Sequence, residues 1–249
     1  MKKAALIIIA MLGILLLRAA EDLPDWGDPQ SPASTHLSDY YLEKSYDETS
    51  VPNIVTSVLA DYRGYDTMFE TVVIFCAGIT VLIVLRRTRR KKAKSFQPRP
   101  DRPGADIILQ SASRLLVPAM QLFALYVVAH GHHSPGGGFQ GGVILGASFI
   151  LLALSYDLGT VLSRFKEKSV MRFSAIGVLL YAGIGLGCLY LGRNFLAYGA
   201  WGKVLGINQP AAHSHGMLGV EIGVAITVLS IMFSLYIDLA SGGDLDEGL

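Results

Sequence analysis

The chain has 249 residues, a net charge of +1 and only 16% charged side chains, against about 25% in an ordinary soluble protein. Together with a mean hydropathy of +0.44, this excludes a water-soluble domain and indicates an integral membrane protein whose apolar residues fill spans of about 20 residues each. Cys76 and Cys188 both lie in apolar stretches, which excludes a disulfide framework and leaves them as small packing residues.

Lys2 and Lys3 precede an apolar run over residues 4–17, which fits either an anchor or a secretory signal. Arg18 spoils a small-x-small cleavage site ending at Ala20, so the run reads as an uncleaved first span lengthened by Arg18, Ala19 and Ala20. Residues 21–50 are acidic and rich in Pro, Ser and Asp without a sustained period, the pattern of an exposed extracytoplasmic loop. A short half-helix is predicted over 52–60, entered at Ser50 or Val51 with Pro52 in its first turn. Gly64 interrupts it before a second span over 67–85.

Charge then fixes orientation. Residues 21–70 carry eleven acids and two bases (Lys44, Arg63), whereas residues 86–102 carry nine bases and one acid (Asp101). Lys and Arg stay on the cytoplasmic side, so the first group is outside and the second inside. The run 86–94 is a stop-transfer anchor that also attracts anionic lipid. A nucleic-acid role is not expected: the basic patch suffices electrostatically, but nothing near it reads bases. Pro98, Pro100 and Pro103 make 95–106 a linker. Four further spans follow, over 107–129, 141–156, 173–191 and 216–237. The connection 163–172, with Arg164, Lys166, Lys168 and Arg172, faces the cytoplasm; 192–215, with Arg193 and Lys203 alone, faces out. The expected fold class is therefore an all-α integral membrane protein with six transmembrane helices, both termini cytoplasmic, in the cell (inner) membrane.

Few residues carry chemistry. Glu221 lies six residues into an otherwise uncharged span. Inserting an acid near mid-helix costs about 2.5–3.5 kcal/mol, so it reads either as an ion-binding group or as a neutral or Arg-paired packing element. Gly219 and Gly223 flank it and admit a neighbouring backbone. Glu70 starts the second span, with Asp61 and Asp66 nearby; it reads as a carboxylate at the mouth of a cation path or as the second half of a Thr67-x-x-Glu70 capping box. Arg114, Pro118 and Gln121 share one face of the third span. Pro118 frees the carbonyl of Arg114 and bends the helix, which suits a hydrated stripe, although a snorkelling arginine is the bland alternative.

The run from His130 to Gly142, His-Gly-His-His-Ser-Pro-Gly-Gly-Gly-Phe-Gln-Gly-Gly, joins two uncharged stretches by a turn of bare backbone. Gly138, Gly142 and Gly146 recur at four-residue spacing and form a close-packing face for another helix. His36, His130, His132, His133, His213 and His215 all fall on the predicted outer side. Without companion cysteines or a His-x-x-x-His helix pair, no metal site is expected. Loop hydrogen bonding, or proton exchange at an outer mouth by His130, His132, His133, His213 and His215, fits better. No nucleophile–base pair, phosphate loop or dinucleotide fingerprint is present, so no enzymatic site is expected.

The wording of two segments resembles known families. Arg114-Leu-Leu-Val-Pro-Ala-Met-Gln121 and Gly131-His-His-Ser-Pro-Gly-Gly-Gly-Phe-Gln-Gly-Gly-Val143 resemble the B subunit of Mrp-type sodium/proton antiporters, the MnhB family, across roughly 107–240. Val55-Thr-Ser-Val-Leu-Ala-Asp-Tyr-Arg-Gly-Tyr-Asp-Thr67 with Phe69-Glu70 is similar to the carboxy-terminal part of the large Mrp A-type subunit and to the E-type subunit of membrane-bound hydrogenases. The implied organisation is a two-span front domain (1–94), the linker, and a four-span MnhB-like domain (107–249). The resemblance implies one component of a multi-subunit cation/proton antiporter that works with other membrane subunits, moves Na⁺ and H⁺, and holds no resident cofactor. A purely structural scaffold, or the ion module of a hydrogenase-like redox complex, is the alternative.

Overall fold

The computed structural model describes residues 2–89, 107–156 and 158–241. The linker 95–106 and most of the basic run before it lie outside the described residues. The described residues are 83% helix, and no strand occurs among them. Among the described residues six helices are long and apolar enough to cross a membrane, which makes this a multi-pass membrane protein: α1 (Lys2–Ala20), α4 (Gly64–Arg89), α5 (Ile107–Ala129), α6 (Gly138–Tyr156), α8 (Glu167–Tyr190) and α10 (Gln209–Ser241). Shorter helices are α2 (Ser38–Thr49), α3 (Ile54–Thr56, continued by a π-helical stretch Ser57–Tyr62), α7 (Leu158–Arg164) and α9 (Trp201–Leu205).

Two compact units divide at residues 44 and 45. The first holds α1, whose apolar side chains are exposed along its whole length. The second holds the bundle. Its axis is α10, the most buried of the spans, packed by α8, α6 and α4, with α5 against α6. Small residues permit this density. An added Cβ on Gly138 would lie 2.0 Å from the carbonyl oxygen of Glu221, and one on Gly142 would lie 2.8 Å from that of Ala225. At Gly146 the neighbour is the Met232 side chain, at 3.3 Å. On the other side of α10, Gly177 and Gly223 meet backbone to backbone, a Cβ on Gly223 falling 2.7 Å from the Gly177 carbonyl. Without a hydrophobic drive between helices in lipid, such close backbone contact is what holds them together.

Several boundaries differ from the sequence expectation. The acidic segment 21–50 is not loop throughout: a π-helical turn (Ala33–Leu37) and α2 occupy its second half. α2 has no apolar stripe to reveal it; its end is fixed by polar groups, Thr49 Oγ1 donating to the Ser45 carbonyl (2.7 Å) and lying 2.9 Å from Ser57 Oγ. The helix expected from residue 52 starts at Ile54, because Asn53 caps it by accepting from Val55 N–H (3.1 Å). The second span starts at Gly64, not residue 67. The last span starts at Gln209, where Asn208 Oδ1 accepts from Ala211 N–H (3.0 Å) and Pro210 sits in the first turn.

Candidate functional site

Below the histidine–glycine turn, α3, α4, α6, α8 and α10 enclose a cavity of about 290 Å³. Its polar lining comprises Thr56, Thr67, Glu70, Thr71, Gln140, Tyr181 and Glu221, among aliphatic neighbours that include Ile74, Val220 and Val224. Two carboxylates separated by 151 positions in sequence thus face one space. Glu221 is 8% exposed, and its Oε2 has no hydrogen-bond donor among the described residues. Oε1 receives a long contact from Thr56 Oγ1 (3.4 Å), whose shorter bond goes to the Gly131 carbonyl (2.6 Å). Glu70 is exposed at the rim of the cavity. A buried carboxylate with an oxygen left without a donor favours a proton or a cation there, and a carboxylate at a rim draws cations toward it.

The turn is shaped around Glu221. Added Cβ atoms on Gly131 and Gly137 would lie 2.8 Å from its Oε2 and 3.1 Å from its Oε1 respectively. Gly137 has φ +137°, a conformation open to glycine. Asn53 pins the turn from the opposite wall, its Nδ2 donating to the carbonyls of Gly131 (2.7 Å) and Ser134 (2.8 Å) and to Thr56 Oγ1 (3.1 Å), while its backbone N–H reaches the His132 carbonyl (3.3 Å).

The remaining predicted residues divide. Asp61 is paired with His213 (3.2 Å) at a partly buried position, beside Tyr198, whose hydroxyl donates to the Ala60 carbonyl (2.6 Å). Asp66 is an exposed partner of Arg63 (2.5 Å), not a cavity group. Thr67 is not the capping residue expected of it: α4 has begun three residues earlier, and its hydroxyl donates to the Leu59 carbonyl (2.7 Å). Glu70 is therefore not half of a capping box. Arg114, Pro118 and Gln121 lie outside the cavity lining; Arg114 and Pro118 line a second cleft at the other end of the bundle.

Among the histidines, His132 is buried and its ring stands 4.1 Å from that of His133, while His130 stacks on Tyr126 at 4.1 Å. Burial first, then the imidazoles of His133, His130 and His215, holds His132 below its ordinary value, so at neutral pH it is uncharged. His215 is exposed; His36, in the first unit, lies 6.1 Å from Tyr40. No group of three or more His, Cys, Asp or Glu able to hold a metal ion occurs among the described residues. The cavity residues Thr71, Gln140 and Tyr181 carry no signal in the sequence, and Asn53, Thr56 and Asp238 are not singled out by it either. Asn53 and Thr56 follow Pro52 in a polar stretch, and Asn before a short helix was the available signal. Asp238, one residue past the expected end of the last span, is buried at 1% exposure.

Fold and cavity together define a polytopic membrane protein with acidic groups inside its helical bundle. Residues 108–234, just over half of the chain, match the family described as a domain related to the MnhB subunit of Na⁺/H⁺ antiporters, and the chain belongs to that family. Residues 29–102 match the MbhE family, the E-type subunits of MBH complexes. The B-type subunit of the Na⁺/H⁺ antiporter of Bacillus subtilis is 36% identical over 131 residues, covering 50% of this chain and 90% of that protein. The A/B-type subunit of a probable K⁺/H⁺ antiporter of Rhizobium meliloti is 28% identical over 183 residues, 66% of this chain but 18% of that much longer protein. A chain of the archaeal membrane-bound sulfane sulfur reductase complex superposes with a TM-score of 0.59 at 26% identity, covering 94% of this chain and 98% of that one. The Mrp complex of Dietzia sp. DQ12-45-1b shares the fold, with a TM-score of 0.62 at 24% identity over 26% of its chain.

Proposed function

We propose that this chain is a membrane component of a multi-subunit monovalent cation/proton antiporter and that the cavity holding Glu221 and Glu70 is part of its ion path. The observation that carries this is Glu221 Oε2, buried and without a donor, facing the same space as Glu70. Glu70 at the rim gathers Na⁺ or a related cation, and Glu221 exchanges it for a proton at depth; Thr56, Thr71 and Gln140 supply neutral oxygens. Binding to a carboxylate either by H⁺ or by a cation, but not both, is the minimum chemistry of exchange. The ions are cargo, no resident cofactor is needed, and the only bond made or broken is the O–H bond of the exchanging proton.

The orientation comes from charge: the termini and 86–102 are cytoplasmic, and 21–66 with the histidine–glycine turn are extracytoplasmic, in the cell membrane. The segment 54–62 then serves as a half-helix closing the outer side of the cavity, and His130, His132, His133, His213 and His215 stand around that outer mouth. A second reading, the ion module of a respiratory redox complex, is favoured by the nearly complete mutual coverage with the sulfane sulfur reductase chain; iron–sulfur proteins copurifying with the complex would select it.

The test is cation-driven pH change in vesicles holding equal amounts of assembled complex. Glu221→Gln and Glu70→Gln keep shape and hydrogen bonding while removing the ionisable group. Both are expected to assemble and to transport less, Glu221→Gln losing more. Unchanged transport in both would make the chain a scaffold, and failed assembly would make the carboxylates structural.

A further inference from the structure

A second cleft lies at the opposite end of α5 from the histidine–glycine turn, about 24 Å along the helix at 1.5 Å per residue. It measures about 310 Å³ and is lined by Arg114 of α5, Tyr156 at the end of α6 and Arg164 at the end of α7, over a floor that includes Val117, Leu152 and Val161. No acidic side chain lines it among the described residues. Arg114 is not simply reaching for water: its Nε donates to Tyr156 Oη at 2.9 Å, which orients the guanidinium and leaves its terminal nitrogens to bind something else. Neither arginine forms an ion pair among the described residues.

Arg114 and Arg164 are both exposed at the cleft, and two guanidinium groups lining one small space concentrate positive charge there. Such a pair repels cations, which sets the cleft apart from the cation cavity. A phosphate satisfies it, because the planar fork of arginine matches phosphate oxygens two at a time. The aliphatic floor, set into the end of membrane-spanning helices, matches the glycerol and first methylenes of an acyl chain.

We infer that this cleft binds the phosphate of an acidic membrane lipid, Arg114 and Arg164 clamping the headgroup and Tyr156 holding Arg114 in position. The inference is independent of the cation path.

The experiment uses the assembled complex, delipidated and reconstituted in phosphatidylcholine with or without phosphatidylglycerol, reading retained phosphatidylglycerol per complex by mass spectrometry and the thermal midpoint. Phosphatidylglycerol is expected to be retained and to raise the midpoint, and Arg114→Gln/Arg164→Gln is expected to weaken retention about tenfold or more, two charge-assisted contacts being lost. Lys168→Gln/Arg172→Gln, outside the cleft lining, should retain it as the unaltered complex does. If the double glutamine variant does not assemble, Arg114→Lys/Arg164→Lys keeps the charge without the fork and should still lose retention. Undiminished retention in whichever variant assembles, or no retention by the unaltered complex, overturns the inference. Stabilisation in phosphatidylcholine alone by inorganic phosphate, with none from phosphatidylglycerol, would overturn the lipid as occupant in favour of a soluble anion.

Discussion

Gly138→Ala tests how the carboxylate cavity is held together. A Cβ at this position falls 2.0 Å from the carbonyl oxygen of Glu221 and 2.9 Å from its Cα, whereas carbon and oxygen in contact settle at about 3.3 Å. The obstruction is backbone on both sides, so no rotamer change relieves it, and α6 and α10 must part by about 1 Å. Overpacking of this kind costs about 1–3 kcal/mol, and the rigid obstruction places Gly138→Ala at the upper end. Gly183 supplies the control: nothing lies within 4 Å of its Cβ position, so Gly183→Ala is expected to be neutral or to gain up to about 1 kcal/mol from helix propensity. Gly146→Ala, meeting only the Met232 side chain at 3.3 Å and a carbonyl at 3.6 Å, should stay close to neutral. Thermal melting of the solubilised complex followed by size-exclusion recovery reads all three. Gly138→Ala melting with the unaltered protein would refute the claim that backbone contact at this point sets the α6–α10 distance.

Asn53→Ala removes the two side-chain bonds that tie the turn to α3, together with the cap of that helix, and should cost about 2–3 kcal/mol, seen as faster hydrogen exchange of 130–137 in the assembled complex; unchanged exchange would show the turn to be self-supporting. Because His132 is held below its ordinary value, the unfolded chain takes up more protons than the folded one as pH falls through about 6.5, and the associated stability is lost there and below. His132→Gln should flatten that acid loss in a series of melting temperatures, and an unaltered pH slope would assign it to other groups. For topology, single cysteines at Ser31 and Ser95 should label from outside and inside respectively; both labelling from outside would reverse the charge argument.

Composition and period alone placed all six spans, because a lipid-facing helix must be apolar along its length whatever it packs against. The glycines at 138, 142 and 146 likewise announced a contact face, since four-residue spacing puts them on one side of a helix. Polar helices were not legible: α2 has no apolar stripe, and its ends are set by side-chain bonds such as Thr49 to Ser57. Glu70 and Glu221 could each be singled out as acids in apolar surroundings, but that they face one cavity follows from α4 and α10 packing together. The same packing left Asp66 on the surface with Arg63 and joined Asp61 to His213. Sequence determines what a span can bury, through its own hydropathy. Which buried groups share a space depends on helix order and rotation, and those are fixed by contacts between residues far apart in the chain, such as Asn53 with Gly131 and Gly138 with Glu221.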